Sequence, residues 1–384
     1  MHFTISKSDI NAMITSIYAA TEKTGIYSYL WVEVKDDTLR LIASDGEFEL
    51  MSSAKVLPNT KDAPTVEGIA LLPAAKFKSL ISAAPNGVNV EVKHKEKQAY
   101  LLSYVGLRSR YTLQALDSEF PLFPSAPANS DPTKCFRFSV DAKTFSRTLD
   151  NVSGAMANQD VRYYLNGMCW SAKGNVLSCT STDGHRLMQD KIAITPQNED
   201  ASFNVIIARK TILELPKLFK GMDKELRVIL THNHMFVSFG DRYIKTLLID
   251  GNFPDTSRVI PKHLETQVTI KRLEFLSTLK RAAILANEKT KGMRLTFNNN
   301  TVKFEASNTE QDTSHEEMEI TQIESTSATT GSVEIGVNAG YLIDAFSTYQ
   351  EDEILFTYTD GANSMLLRSL TNPDSINVVM PMRV

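Results

Sequence analysis

The segment QDVRYYLNGMCWSAKGNVLSCTSTDGHRL, residues 159–187, is the most informative stretch of the chain. The turn-forming groups Asn166-Gly167 and Lys173-Gly174-Asn175 flank two apolar runs within it. This pattern predicts a β-hairpin. QDVRYY and TDGHRL would then lie at the outer ends of the hairpin, and neither is a general catalytic motif.

An internal repeat indicates how the rest of the chain is organised. Three segments share one plan, a short alternating strand followed by a helix-like stretch: HFTISKSDINAMITSIYAA, CFRFSVDAKTFSRTLDNVSGAMA and TQVTIKRLEFLSTLKRAAILAN. They recur at intervals of 133 and 132 residues, anchored at Phe3, Phe136 and Val268. A second strand-to-helix unit recurs at intervals of 135 and 130 residues, near Ile69, Asn204 and Glu334.

Two units that repeat in step predict three equivalent domains, residues 1–130, 131–265 and 266–384. Alternating runs at 88–92, 235–239 and 353–356 predict further strands. Each domain is therefore expected to be strand-rich with about two helices, an α+β architecture. Linkers are expected where proline and polar residues cluster, at 121–132 and 254–266.

The composition, 42% hydrophobic and 22% charged, is that of a soluble globular protein. No apolar run of about 18 residues is present, so we expect no transmembrane span. The N-terminal MHFTISKSD lacks the features of a secretory signal, so we expect no signal peptide. Three cysteines cannot all pair, which predicts buried, reduced thiols in a cytoplasmic protein at Cys135, Cys169 and Cys179. The net charge of −4 does not point to nucleic acid, although binding responds to the local field rather than to the sum.

Basic residues collect in or beside the helix-like units of all three repeats, while acids concentrate at 310–319 and 351–353. A solvated helix face explains any single one of them. Their recurrence favours a second interpretation, a positive surface that contacts phosphates without reading sequence. The residues are Lys7, Lys76, Lys78, Lys143, Arg147, Arg209, Lys210, Lys217, Lys220, Lys271, Arg272, Lys280 and Arg281.

Motifs of catalysis are absent, since the chain contains no GxxxxGK[ST], GxGxxG, HExxH, GxSxG or paired CxxC. His232 and His234 offer two metal ligands without an evident third, which favours a hairpin turn over a metal site. His185 beside Asp183 suggests acid–base chemistry, but a histidine on a pocket wall is favoured because no nucleophile is evident. We therefore expect no catalytic residue, no metal and no cofactor.

The hairpin segment resembles the bacterial sliding clamp family, the β subunits of DNA polymerase III. So do GNFPDTSRVIPK (251–262), RAAILANEKTKGMRL (281–295) and VVMPMRV (378–384), and the resemblance covers the full length. It implies a ring-shaped head-to-tail homodimer of repeated DNA-clamp domains, with sheets outside and two helices per domain lining a hole around duplex DNA.

The resemblance also implies a function without catalysis. Such a clamp encircles double-stranded DNA without sequence preference and gives a polymerase processivity in DNA replication, in the cytoplasm at the nucleoid and away from any membrane. The implied partners are the DNA polymerase III alpha subunit, an ATP-driven clamp loader, and other polymerases and repair proteins that carry a clamp-binding peptide.

Three sets of site residues are implied by the same resemblance. A pocket for partner peptides, with adaptable methionine and aliphatic walls, would use Leu165, Thr182, Gly184, His185, Arg186, Leu187, Pro254, Arg258, Val259, Asn338, Tyr341, Ser364, Val378, Val379, Met380, Pro381, Met382 and Arg383. DNA contacts would use Lys23, Gln159, Arg162, Tyr163, Tyr164 and Lys210. The dimer interface would use Arg108, Arg110, Tyr111, Leu113, Ile284 and Leu285.

Complementary charge would orient that interface, with the two arginines facing Glu316, Glu317 and Glu319 of the other protomer. The chain departs from the family in its first domain, where TEKTGIYSYLWVEV, residues 21–34, is shortened and lacks the usual arginine and prolines. Lys23 is the candidate for the missing positive charge. Residues 255–258 also lack a bulky or basic residue common in the family, so first-domain DNA contacts and compatibility with a loader stay open.

Two other functions stay open beside the clamp. One is a peptide-binding hub that never encircles DNA. The other is a hydrolase that uses Asp183 and His185, with a metal at His232 and His234.

Overall fold

A computed structural model of the chain describes residues 1–58, 64–127, 135–262, 265–298, 300–320, 322–325 and 332–383, with the backbone alone for 322–325. Contacts divide the chain into two compact units. The first comprises Met1–Ala142, Thr195–Ala201 and Met222–Leu248, and the second comprises Lys143–Ile194, Ser202–Gly221 and Ile249–Val384. No helix within the described residues is long and apolar enough to cross a membrane.

Strands dominate both units. In chain order they are β1 (His2–Ser6), β2 (Tyr29–Lys35), β3 (Thr38–Ser44), β4 (Phe48–Lys55), β5 (Gly68–Pro73), β6 (Asn89–Glu96), β7 (Ala99–Tyr104), β8 (Arg110–Gln114), β9 (Cys135–Asp141), β10 (Gly167–Lys173), β11 (Val176–Thr182), β12 (Arg186–Ala193), β13 (Thr195–Pro196), β14 (Ser202–Ala208), β15 (Glu225–Thr231), β16 (His234–Phe239), β17 (Arg242–Ile249), β18 (Thr266–Lys271), β19 (Gly292–Phe297), β20 (Thr301–Ser307), β21 (Thr313–Glu319), β22 (Gln322–Ser325), β23 (Val333–Asn338), β24 (Glu353–Tyr358), β25 (Met365–Ser369) and β26 (Ile376–Val379).

The α-helices are short. They are α1 (Lys7–Ile17), α2 (Ala74–Ala83), α3 (Ala142–Ser153), α4 (Arg209–Phe219), α5 (Arg272–Ala282) and α6 (Ala339–Thr348). Single 3₁₀ turns are formed by Tyr18–Ala20, Ile26–Ser28, Tyr163–Leu165, Thr256–Arg258 and Ala283–Leu285.

The first unit holds two antiparallel sheets and the helices α1 and α2. One sheet has the order β1-β6-β7-β8, which leaves β8 at an edge. The other runs β5-β2-β3-β4-β17-β16-β15-β9-β13. The side chain of Ser6 starts α1 by accepting a hydrogen bond from the backbone N–H of Asp9 at 3.1 Å. The alternation that predicted strands is explained by burial, because the inward residues Phe3 and Ile5 of β1 are 1% and 0% exposed.

The second unit also holds two antiparallel sheets. The larger runs β14-β10-β11-β12-β26-β25-β24-β18-β22, and the smaller runs β21-β20-β19-β23. Aromatic contacts join helices to the core. The ring of Phe275 in α5 stacks on that of Phe346 in α6 with centroids 4.4 Å apart, and Phe145 in α3 meets Trp170 in β10 edge-on at 5.2 Å.

The repeated strand-to-helix units are confirmed. The strand-to-helix segments anchored at Phe3, Phe136 and Val268 form β1-α1, β9-α3 and β18-α5. Those near Ile69, Asn204 and Glu334 form β5-α2, β14-α4 and β23-α6. The predicted hairpin is also confirmed, since β10 and β11 pair antiparallel on either side of Gly174. The α+β prediction therefore holds. The division at residues 130 and 265 stays a prediction, and its first border lies outside the described residues.

The cysteines and the helix charges follow the sequence expectations in most respects. Cys135, Cys169 and Cys179 are buried and form no disulfide, and burial raises the pKa of Cys169 to about 12. The basic residues noted above lie on or beside α1 to α5. The sixth helix, AGYLIDAFST, carries none and contributes only the acidic Asp344.

Candidate functional site

The turn between β11 and β12 is fixed by its own side chains. The carboxylate of Asp183 accepts hydrogen bonds from the backbone N–H groups of His185 at 2.9 Å and Arg186 at 3.1 Å. The hydroxyl of Thr182 accepts from the N–H of Gly184 at 3.1 Å and donates to the carbonyl of Arg186 at 2.6 Å. Gly184 has φ +91°, a conformation that favours glycine. TDGHRL is therefore a structured turn rather than an acid–base pair, because Asp183 bonds the backbone of His185 and not its ring.

Arg186 connects this turn to α6. Its Nε lies 3.1 Å from Asp183 Oδ2 and its Nη1 lies 2.5 Å from Asp344 Oδ2. The guanidinium also lies over the ring of Tyr341, 4.4 Å from its centroid. The side chain is only 12% exposed, so these contacts hold it in one orientation.

Arg162 is held on the same side of the turn. Its side chain donates two hydrogen bonds to the carboxylate of Asp160, at 2.8 and 3.0 Å, and one to the carbonyl of Asp183 at 3.0 Å. The Arg162 side chain holds the pKa of Asp160 down at about 2. A Cβ at Gly184 would lie 2.9 Å from Arg162 Nη1, so any larger residue there would displace the Arg162 guanidinium as well as strain the backbone.

The chain after β26 completes the site. The backbone N–H of Met380 donates to the carbonyl of His185 at 3.0 Å, and that of Met382 donates to the carbonyl of Gly336 at 2.8 Å. Asn338 has a local structural role, because its side chain caps α6 by accepting from the N–H of Tyr341 at 3.2 Å.

These segments enclose a cavity of about 240 Å³. It is lined by Arg162, Tyr164, Leu165, Thr182, Gly184, Arg186, Leu187, Pro254, Asp255, Thr256, Val259, Val378 and Met380. Aliphatic side chains and Met380 line it together with polar side chains such as Thr182 and Arg186. This arrangement suits an apolar anchor side chain of a short peptide.

The cavity brings together half of the predicted pocket set and adds four residues. Arg162 and Tyr164, predicted to contact DNA, line it, as do Asp255 and Thr256, which the sequence reasoning missed. Asp255 and Thr256 directly follow Pro254 in the chain, and this adjacency was the signal that could have added them to the predicted pocket. The predicted residues that do not line it are His185, Arg258, Asn338, Tyr341, Ser364, Val379, Pro381, Met382 and Arg383.

Several of these outlying residues have defined places. His185 stacks on Tyr341 with centroids 6.5 Å apart. Arg258 is exposed and pairs with Asp255 at 3.3 Å, while Val379 is 1% exposed in the core. Met382 and Arg383 line a separate cavity of about 430 Å³ beside β19 and β20.

The remaining residues predicted to contact DNA are on the surface. Tyr163 is 57% exposed, and its neighbour Val161 is 96% exposed. Gln159 is exposed with φ +57°. Lys23 and Lys210 are exposed as well.

The predicted interface residues lie at sheet edges and at a helix end. In the first unit, Arg108 precedes the edge strand β8 and Arg110 begins it, and both are exposed. Leu113 of the same strand is buried within its own chain, at 5% exposure. In the second unit, Ile284 is 76% exposed in the turn after α5. Glu316 of the edge strand β21 is held by Arg281 of the same chain, with two hydrogen bonds of 2.9 Å.

No cluster of three or more His, Cys, Asp or Glu side chains suited to a metal occurs in the part of the chain that the structure describes. His234 begins β16, and its ring lies against Phe123 and Phe236. The predicted hairpin turn between β15 and β16 is confirmed.

Comparison with known proteins gives consistent matches along the whole chain. Models of the DNA polymerase III beta subunit match in order: the N-terminal domain over residues 1–124, the central domain over 139–255 and the C-terminal domain over 257–383. The beta sliding clamp of Pseudomonas aeruginosa is 33% identical over 388 residues, which cover 100% of both chains. That of Escherichia coli K12 is 32% identical over 365 residues, which cover 94% of this chain and 92% of its own.

Solved structures agree. A crystal structure of the DNA polymerase III subunit beta from Pseudomonas aeruginosa matches with a TM-score of 0.92 and 32% identity, covering 100% of both chains. A sliding clamp from the same organism bound to griselimycin matches with a TM-score of 0.89 and 33% identity, again over 100% of both chains.

Proposed function

The chain belongs to the family of DNA polymerase III beta subunits, the sliding clamps, and we propose on that premise that it is a non-catalytic processivity factor for DNA replication. The observation that carries the proposal is the match of all three family domains, in order, over nearly the full length. The sequence repeat supports the same organisation, and we propose three clamp domains at residues 1–130, 131–265 and 266–384.

The proposed mechanism is topological. Two copies close head to tail into a ring around duplex DNA, and a closed ring cannot leave unbroken DNA, so weak contacts suffice for sliding. The basic residues on α1 to α5 support this proposal, because lysine and arginine contact phosphates without reading sequence. Exposed Tyr163, Gln159, Lys23 and Lys210 add candidate DNA contacts.

The cavity between the β11–β12 turn and β26 is proposed as the docking site for partner peptides. Its walls of Leu165, Leu187, Val259, Val378 and Met380 suit a leucine or phenylalanine anchor. Tethering a polymerase there makes its rebinding to DNA a local event at high effective concentration. We propose that the polymerase III alpha subunit, the clamp loader, other polymerases and repair proteins compete for this one site.

The ring interface is proposed to join the edge strand β8 of one copy to the region of Ile284 and Leu285 of the next. The exposure of Ile284 supports this assignment, since covering a 76% exposed isoleucine removes apolar surface from water. Because Glu316 is already paired with Arg281, Glu317 and Glu319 are the better candidates to face Arg108 and Arg110. We propose that the protein acts in the cytoplasm, at the nucleoid.

Primer extension tests the proposed function. A primed circular single strand is copied by a polymerase III core, with its loader and ATP, with and without this protein. We expect the protein to lengthen the products of single binding events, and the variant lacking residues 380–384 to give little or no increase. Products of unchanged length, with peptide binding intact, would contradict the clamp function and favour a peptide hub.

A further inference from the structure

The strand β12 reaches from the cavity to a second set of contacts in its second half. Arg186 and Leu187, at its start, line the cavity. Four residues further on, Asp190 accepts a hydrogen bond from Asn372 Nδ2 at 3.1 Å. Lys191 Nζ lies 2.7 Å from Asp374 Oδ1. Both partners belong to the loop between β25 and β26, which is thereby fastened to β12.

The loop is itself ordered around Asn372. The hydroxyl of Ser369 accepts the backbone N–H of Asn372 at 2.8 Å. The backbone carbonyl of Asn372 accepts the N–H of Ser375 at 3.0 Å, and its side-chain oxygen accepts the N–H of Asp374 at 3.2 Å. Asn372 therefore connects Asp190 of β12 to Ser375, the residue before β26, through its own hydrogen bonds.

The register of β26 determines the shape of the cavity. Four residue pairs join β26 to β12, from Arg186 with Val379 to Gln189 with Ile376, and four more join its other edge to β25. Val378 and Ile376 lie on the inward face, in a buried cluster with Leu187 and Leu366. A shift of one residue would turn both away from that cluster and would remove Val378 from the cavity wall.

The contact between Asp190 and Asn372 favours one register of β26 because Asp190 is buried. Asp190 is 2% exposed, and burial raises its pKa. Its Oδ1 also accepts the backbone N–H of Lys191 at 2.9 Å, and its Oδ2 has only a long contact with Thr148, at 3.4 Å. A buried carboxylate that loses one of its donors is left with unmet hydrogen-bonding capacity, which costs free energy because water cannot replace the donor. A shifted β26 that moved Asn372 away would incur that cost.

We propose that Asp190 and Asn372, with Lys191 and Asp374 beside them, are positioning residues that lock β26 in register and so set the affinity of the cavity for partner peptides. The effect on peptides rests on the proposed function of the cavity. The register lock itself does not.

The test uses the full-length protein and a fluorescein-labelled peptide with leucine and phenylalanine anchors. Asn372→Ala and Asp190→Ala are expected to raise the peptide Kd by at least about fivefold and to speed amide hydrogen exchange over Ile376–Val379. The reciprocal variant, D190N with N372D, restores a carboxylate–amide pair and is expected to regain most of the affinity. A general loss of packing would not be rescued in this way.

Asn363→Ala is the matched control. Its side chain also donates to a carboxylate, that of Asp360 at 3.0 Å, but in the exposed turn before β25. The control should leave both the exchange and the Kd unchanged. Single variants with wild-type Kd and exchange, or a reciprocal variant no better than the singles, would overturn the proposal. A wild-type protein that does not bind the peptide would contradict the function of the cavity instead, and hydrogen exchange alone would then decide the lock.

Discussion

Deleting residues 380–384 removes one wall of the cavity while leaving the last core strand in place. The deletion takes away the Met380 side chain and the backbone hydrogen bonds from Met380 to His185 and from Met382 to Gly336. Strand β26 ends at Val379, and its residues Ile376 and Val378 keep their buried cluster. We therefore expect a folded protein whose peptide binding is impaired.

The size of the effect follows from the exposure of Met380. The residue is 37% exposed, so a bound side chain can cover roughly a third of the surface of a methionine, whose full burial contributes about 1.5–3 kcal/mol. This contact is worth about 0.5–1 kcal/mol. The peptide anchor loses one of its apolar walls, which costs about 0.5–1 kcal/mol more. The peptide Kd should rise about 5- to 30-fold.

Fluorescence anisotropy with the labelled peptide measures this change. Deleting only residues 383–384 is the matched control, because Met380, Met382 and both backbone hydrogen bonds remain. The control should bind within about twofold of the full chain. Full affinity in the longer deletion, with sedimentation and melting unchanged, would show that the peptide docks elsewhere.

Three further predictions concern the interface, the first unit and a buried thiol. Changing Ile284 and Leu285 together to alanine should shift sedimentation velocity from dimer to monomer, since covering the 76% exposed Ile284 contributes about 1–2 kcal/mol per contact; an unaltered dimer contradicts the interface. Lys245→Met should lower the free energy of unfolding by about 3–5 kcal/mol, because it leaves Glu49, 1% exposed and 2.8 Å from the lysine, buried without its cation; a melt equal to wild type refutes the reasoning. Native Cys169, with its pKa raised to about 12 by burial, should resist a thiol reagent at pH 8 and react on unfolding. Because the unfolded thiol ionises first, the free energy of unfolding should fall as the pH rises above the usual thiol pKa of about 8.5. Rapid reaction of the native protein would show that the thiol is not buried.

Local features were predictable because short-range physics decides them. Alternating runs such as residues 2–6 became strands with one buried face, and TDG became a turn because an aspartate side chain and a glycine with positive φ stabilise it. The repeat intervals identified equivalent strand-to-helix units without any knowledge of how those units associate.

Long-range pairing was not predictable from the pattern. Strand β17 continues the sheet of β4, nearly 200 residues earlier in the chain, and periodicity carries no information about which edges meet. Asp190 and Asn372 are likewise 182 residues apart, and each alone resembles an ordinary surface residue. The pair becomes recognisable only in the folded chain, where Asp190 is buried within β12.

The candidate site was predicted in outline only. TDGHRL, the segment around Pro254 and the tail do converge on one cavity. The orientation of Arg162 could not be predicted, because it is set by Asp160 and by the carbonyl of Asp183, and these turn a residue of the expected DNA-contacting loop toward the cavity. Residues of the tail beyond Met380 follow the edge of β23 and reach a different cavity.

The most direct test of the central claim is retention on circular DNA. The protein is loaded onto a nicked circle by a clamp loader and ATP, separated by gel filtration in moderate salt, and the circle is then cut once. A topological ring predicts co-elution with the circle and release after linearisation. Absence of retention with loader binding confirmed, or retention that survives the cut, would contradict a ring that encircles DNA.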